Sequence, residues 1–363
     1  MFMNLYIINL ATLGFYETKK IDLSIFDLVE LQRIIKNPNN RILLHAVMEF
    51  WDSDMINACL TMLGVTRTQP NVRLLVEECK KHHPFDKPIN FDNILYYNAC
   101  LMQNETVNLK NNSKITIDKD NFLYIVGKSY KRHRIGLLYN LHRRGLLDQC
   151  EWSFRLAEPE LTRECLNDIP DEEYDSFITS VTRDLDIPTN EPIYHHTRHG
   201  WPAQTWLYEN TCFTLLSETH CSPQYLAFIT EKTWRAISNR HVFVSASYVN
   251  NFDLLESIGI DTFQYAMKHK KEEFTIDKRT DDIINMTVEN VEHLLENKHL
   301  YRNQLVESVT NNVAALNARV TYFREIIDPC IEPLIIQPYF YKENTVDLIT
   351  GQDAENAIKK LWC

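Results

Sequence analysis

The densest run of residues able to do chemistry lies between Phe213 and Val244. An apolar segment reaches Ser217 and Glu218, a loop carries His220, and Thr230-Glu-Lys-Thr-Trp-Arg235 opens an amphipathic run that leads to His241-Val-Phe-Val244. This order predicts a buried strand, a loop, and a helix starting at Glu231 with Thr230 as its N-cap. A helix N-terminus presents free N–H groups and positive potential. Lys232 in the first turn adds a full charge, so the combination suits a phosphate. Glu231 beside it is an acceptor able to hold paired ribose hydroxyls, and Glu218 and His220, between strand and helix, are candidates to touch a sugar. The plainer account has Glu231 favouring the helix dipole, with Lys232 and Arg235 as solvated surface.

A second cluster, Lys128, Arg132 and Arg134, follows the apolar run Phe122–Val126. Open α/β sheets bind ligands at the carboxyl ends of their strands, which is where these cations fall. Neutralising a diphosphate is the functional reading, and a basic surface helix is the plain one. The chain has only 8 glycines in 363 residues, and none of them spells G-x-G-x-x-G. Gly127-Lys128-Ser129 imitates the end of a P-loop, but Phe122 stands where its first glycine belongs. Dinucleotide and P-loop folds are therefore disfavoured, and any phosphate must be held by side-chain cations and a helix N-terminus.

The Thr-Glu-Lys-Thr-Trp helix start resembles that of family 10 fucosyltransferases and related glycosyltransferase-B (GT-B) enzymes. Tyr124-Ile-Val-Gly-Lys-Ser-Tyr-Lys-Arg-His-Arg-Ile-Gly-Leu-Leu is similar to the first βα unit of their donor lobe, with Gly127-Lys128 in place of the usual Asn-Arg. Asn251-Phe-Asp-Leu-Leu-Glu-Ser-Ile-Gly-Ile-Asp-Thr-Phe263 resembles a later helix and strand of that lobe. The similarity covers about residues 121–323 at the level of motifs. Beyond Phe263 it departs, with Met267-Lys-His-Lys-Lys-Glu-Glu-Phe where relatives carry an acidic Asp-Glu-Ser-Tyr-Asp segment. The resemblance implies that Glu231 contacts the donor ribose and that Lys232 contacts the diphosphate; Thr230, Lys128, Arg132, Arg134, Glu218 and Arg198 are the further residues expected at the donor site from their types and positions. No metal or other cofactor is expected beyond a UDP- or GDP-linked sugar, since lysine, arginine and a helix N-terminus would stabilise the leaving diphosphate.

In the N-terminal part, Ile42-Leu-Leu-His-Ala-Val-Met-Glu-Phe-Trp-Asp reads as a buried strand with Glu49, Asp52 and Asp54 beyond its end. Sugar transfer with inversion needs a base for the acceptor hydroxyl's proton, and relatives place a Glu comparably, so Glu49 is the expected catalytic base. Acids after strands are also common as surface or N-cap groups. His195-His196-Thr197-Arg198-His199 lacks the carboxylate pattern of a zinc site. It reads as a donor-contacting loop or as plain surface. Trp201, Trp206 and Tyr208 read as core or wall residues.

Positioning these groups requires strands and helices in alternation. Apolar runs predict strands at Leu5–Leu10, Arg41–Val47, Val72–Val76, Phe122–Val126, Trp152–Phe154, Thr211–Leu216 and Val242–Ser245. Helices are expected at Lys131–Arg144, Glu231–Asn239 and Phe252–Ile258, with Gly145 and Gly259 as stops. Asp281–Phe323 is amphipathic and helical, and Ala354–Leu361 forms a final helix. The polar segment 104–120 reads as a linker. The expected fold class is α/β, in GT-B architecture: two Rossmann-like parallel-sheet lobes with an interlobe cleft. Residues 1–118 would be an acceptor-binding lobe and 119–325 a nucleotide-sugar-binding lobe. Residues 326–363 would be an extension packing back towards the first lobe.

Hydrophobic content of 44% with 24% charged residues is that of a globular chain. Net charge is −11, yet residues 121–147 carry six Lys/Arg and no acid, while residues 151–191 carry twelve acids against three Arg. This predicts a basic face beside an acidic segment. Nine cysteines without a C-x-x-C pair suggest reduced thiols in the cytoplasm, the host's if the chain is viral. No stretch approaches the ~20 apolar residues of a membrane span. The expected activity is sugar transfer from a nucleotide sugar to an acceptor hydroxyl of a glycan or similar molecule. Alternatives are transfer to hydroxymethylated bases of viral duplex DNA, which the basic face would suit, and a noncatalytic nucleotide-binding module.

Overall fold

A computed structural model of the chain describes residues 4–10, 28–46, 53–77, 88–97, 101, 114–128, 131–156, 159–182, 205–218, 221, 229–327 and 346–362. The chain divides into two compact units, one of residues 1–103 and 319–363 and one of residues 104–318. Both are α/β with mainly parallel sheets.

In the first unit, β1 (Asn4–Asn9), α1 (Leu28–Lys36), β2 (Asn40–Ala46), α2 (Ser53–Met62), β3 (Val72–Glu77) and β4 (Ile94–Tyr97) follow one another. Their sheet has the order β4-β3-β2-β1, all parallel, and the late strand Val346–Ile349 adds antiparallel to the free edge of β1. The middle of β2 is buried continuously from Ile42 to Ala46, as a strand covered on both faces must be. Leu31 and Ile35, one helical turn apart, turn α1 onto this sheet, and Ile56, Cys59, Leu60 and Leu63 do the same from α2 and its end. In the terminal helix Gly351–Trp362, Ala354, Ala357, Ile358 and Leu361 form the buried stripe.

The second unit contains β5 (Phe122–Lys128), α3 (Arg132–Arg143), β6 (Cys150–Arg155), α4 (Pro159–Cys165), α5 (Asp171–Val181), α6 (Thr205–Asn210), β7 (Phe213–Ser217), α7 (Glu231–Ser238), β8 (Val242–Ala246), α8 (Val249–Ser257), α9 (Thr280–Asn297) and α10 (Arg302–Ile326), the last running across Arg319, where the chain returns to the first unit. The sheet order is β6-β5-β7-β8, all parallel. After β5 the chain winds through α3 to β6 on one side, and β7 then lies on the other side of β5 and winds through α7 to β8. The direction of winding thus reverses between β5 and β7, which is where open parallel sheets leave a crevice at their carboxyl ends.

Two irregularities mark that crevice. The pairing of β5 with β7 is registered at a single position, Leu123 opposite Thr214. On its other edge β5 slips register against β6 between Ile125 and Gly127, a bulge of the sort that often lies next to functional sites. Below it the sheet is tight, with Phe122 stacked on Phe213 at 5.3 Å. α3 ends as Gly145 adopts φ +69, and α8 ends as Gly259 adopts φ +84. Among the described residues, no helix is long and apolar enough to cross a membrane.

Candidate functional site

A cavity of about 160 Å³ opens at the β5/β7 switch, walled by the ends of both strands, by Arg134 of α3, by Tyr208 of α6 and by Glu231, Lys232 and Arg235 of α7. Residues from the first turns of α3 and α7 thus line one space. The amphipathicity of α7 decides which residues face it. Thr233, Trp234, Ala236 and Ile237 are buried, and the opposite side leaves Glu231, Lys232 and Arg235 to the cavity.

Thr230 is the N-cap, its Oγ1 accepting from the Lys232 backbone N–H at 3.4 Å. The Lys232 ammonium donates to Glu231 Oε1 at 2.9 Å and to Thr230 Oγ1 at 3.3 Å. Burial pulls the Glu231 carboxyl upward, but the Lys232 charge and hydrogen bond, with Arg235, outweigh it and hold the group at about 2. Glu231 is therefore an ionised acceptor at neutral pH.

Arg134 lies across from this helix start and is only 8% exposed. Its Nε is buried without a hydrogen-bond partner, and its side chain has no ion pair among the described residues. Its backbone carbonyl accepts from Tyr124 Oη at 2.9 Å, and the Tyr124 hydroxyl also reaches Ser217 Oγ at 3.3 Å, which pins the start of α3 over the sheet. Burying part of a guanidinium without a partner is costly, and the Arg134 side chain that carries this cost lines the cavity. Tyr208 forms a wall, its hydroxyl pushed up to about 12 by burial. Its ring meets His241 edge-on at 5.2 Å. Burial pushes His241 down to about 4, so it stays neutral while joining Thr214 to the Thr211 carbonyl.

Of the expected donor residues, the structure brings Arg134, Glu231 and Lys232 together with the Thr230 cap. Glu218 lies under this site, fully buried, with its carboxylate turned to Thr230 and Thr233. Arg132 points elsewhere, bonded to Asp168 at 2.9 Å and Asp281 at 3.0 Å over a separate surface depression. Lys128 ends β5 opposite Arg155 in register, and its side chain lies outside the described residues. Glu49, Asp52, His195, His196, Arg198, His199, Trp201 and His220 also lie outside them. Asp54 is exposed in the first turn of α2.

The cations clustered in sequence over residues 121–147 do not form one face. Besides Arg132 and Arg134, Arg144 is bonded to Glu292 at 2.7 Å and Arg143 lies 5.6 Å from the ring of Tyr139. The residues that the sequence undervalued are Arg235 and Tyr208. Arg235 had a signal, standing four residues after Glu231 and three after Lys232 on one helix face, whereas Tyr208 enters from a separate helix without one. Among the described residues no group of three or more His, Cys, Asp or Glu is placed to hold a metal ion.

The class that fold and site define is a parallel α/β unit with a cationic cavity at its topological switch point. Compared with protein-family models, with curated proteins and with solved structures, the chain matches none.

Proposed function

We propose that the chain is a glycosyltransferase of the GT-B kind, similar to family 10, whose second unit binds the diphosphate of a UDP- or GDP-linked sugar at the β5/β7 switch. The observation that carries this reading is the largely buried side chain of Arg134, whose Nε has no hydrogen-bond partner among the described residues, facing a capped helix N-terminus that bears Lys232. A diphosphate is the ligand chemistry that meets both charges and uses the helix start. The ionised Glu231 carboxylate accepts the ribose hydroxyls. As the bond between the sugar's anomeric carbon and the phosphate oxygen breaks, charge grows on the departing diphosphate, and Arg134 and Lys232 stabilise it there. The acceptor hydroxyl adds to the anomeric carbon and gives its proton to Glu49, the base assigned to the first unit. In this reading the two units are the acceptor and donor lobes.

A glycan or similar small hydroxylic acceptor is preferred to duplex DNA. Arg132 and Arg144, which a DNA surface would need free, are paired with Asp168, Asp281 and Glu292. The test is incubation with UDP- and GDP-sugars labelled in the sugar, following release of nucleoside diphosphate. One donor should be hydrolysed slowly or transferred. Lys232→Ala should lower that rate about 10²-fold or more, as for loss of one group that stabilises developing charge. Tight binding with no turnover of any donor, in the presence of an acceptor panel, would mean a noncatalytic binding module instead.

A further inference from the structure

Glu218, directly after β7, is fully buried and does not line the cavity. A buried carboxylate is tolerated only when hydrogen bonds satisfy it. Glu218 Oε2 accepts from the Thr230 backbone N–H at 3.2 Å and from the Thr230 hydroxyl, and Oε1 accepts from the Thr233 hydroxyl at 2.5 Å. Thr230 is the N-cap of α7 and Thr233 the third residue of the helix. In an ordinary capping box the third residue is Glu or Gln and reaches back to the N-cap N–H. Here that residue is Thr, too short for the task, and the carboxylate comes from the end of β7. The Thr230 hydroxyl fixed in this way receives Lys232 Nζ at 3.3 Å. The main chain of Glu218 serves the opposite wall, because its carbonyl bonds His133 Nε2 at 2.8 Å, one residue before Arg134.

We propose that Glu218 is a positioning residue of the anion site, a capping group supplied from the end of β7 that sets where Lys232 meets a bound diphosphate. The inference rests on the diphosphate reading above, and it deepens that reading by assigning the aim of Lys232 to a residue that touches no ligand.

Calorimetric titration of the full chain with inorganic pyrophosphate tests it, using wild type, Glu218→Gln, Lys232→Ala and the double variant, each first checked for cooperative urea unfolding. Glu218→Gln keeps the shape but turns an acceptor into a donor facing two hydroxyls. It should weaken pyrophosphate about tenfold, the size of a lost hydrogen bond to a charged group. Lys232→Ala should weaken it by a similar factor, and the double variant should be no weaker than Lys232→Ala alone, since one acts through the other. Thr233→Val, which removes one hydroxyl and keeps the carboxylate, is the second variant should Glu218→Gln fail to fold. It should weaken binding about threefold in the wild-type background and have no effect beside Lys232→Ala. Unchanged affinity in Glu218→Gln and Thr233→Val, or losses that multiply with that of Lys232→Ala, would overturn the assignment while leaving the diphosphate reading in place. Failure of the wild-type protein to bind pyrophosphate would overturn both.

Discussion

Arg134 and Lys232 reach the same cavity in opposite states. Lys232 has its counter-charge in Glu231, whereas Arg134 has none among the described residues. A charged side chain buried without a counter-charge carries a desolvation cost that an apolar side chain of similar length does not. Arg134→Met should therefore raise the urea midpoint of the ligand-free protein while abolishing the rise in Tm that pyrophosphate gives wild type. A variant that loses stability and keeps the ligand response would remove Arg134 from the site. Glu231 carries a pH signature of definite sign. Its folded pKa, about 2, lies below the ordinary 4.5, so its stabilisation is complete above 4.5 and is lost as pH falls from there towards 2. Acid unfolding of Glu231→Gln should accordingly be less steep across that window than that of wild type. Residues 230–232 were legible because a cap and its helix are local in sequence. The partners of Arg132 are 36 and 149 residues away, and no spacing rule reaches them.

At the scale of elements, α3 is held where its N-terminus can present Arg134 by close packing on α9. Gly136 sits in the α3 interior, and a Cβ there would stand 2.7 Å from the Ile284 Cδ1 of α9. Alanine gains about 1 kcal/mol of helix propensity over glycine, but Ile284 is 1% exposed, so its terminal methyl has to shift within a packed core. Gly136→Ala should destabilise by about 1–2 kcal/mol in urea, the cost of modest overpacking. Ile284→Val, which deletes that methyl, should cancel most of the loss in the double variant. A second tether joins α9 to the segment before it: His269 bonds Glu273 at 3.0 Å and Glu289 at 2.9 Å. Burial lowers the His269 pKa, but the two carboxylates outweigh burial and raise it above its ordinary 6.5. Its stabilisation is therefore full below pH 6.5 and lost as pH rises through the raised value. His269→Gln should cost stability at pH 6 and little at pH 9, as read by urea midpoints. The main strands and α7 followed from apolar runs and caps, and Gly145 and Gly259 stop their helices as expected. Ile94–Tyr97 and Val346–Ile349 were missed, because four residues are too few to show a period and both strands are recruited by the sheet edges they join.

At the scale of the whole molecule, the chain builds two units, each around its own mainly parallel sheet, and the cationic cavity lies wholly in the second. The fold class was legible because alternating strand and helix patterns leave few options. The assembly of the site was not, because the switch between β5 and β7 depends on strand order, which no local pattern encodes. A fragment of residues 104–318 contains Arg134, Glu218, Glu231 and Lys232 with the sheet that positions them, and should bind pyrophosphate with the affinity of the full chain. The central claim is that the cavity takes a nucleotide sugar by its diphosphate, and calorimetric titration of the full chain and of Lys232→Ala with a panel of UDP- and GDP-sugars tests it most directly. One donor should bind wild type, compete with pyrophosphate, and bind Lys232→Ala about tenfold or more weakly. Binding of none, or equal binding by Lys232→Ala, would contradict it.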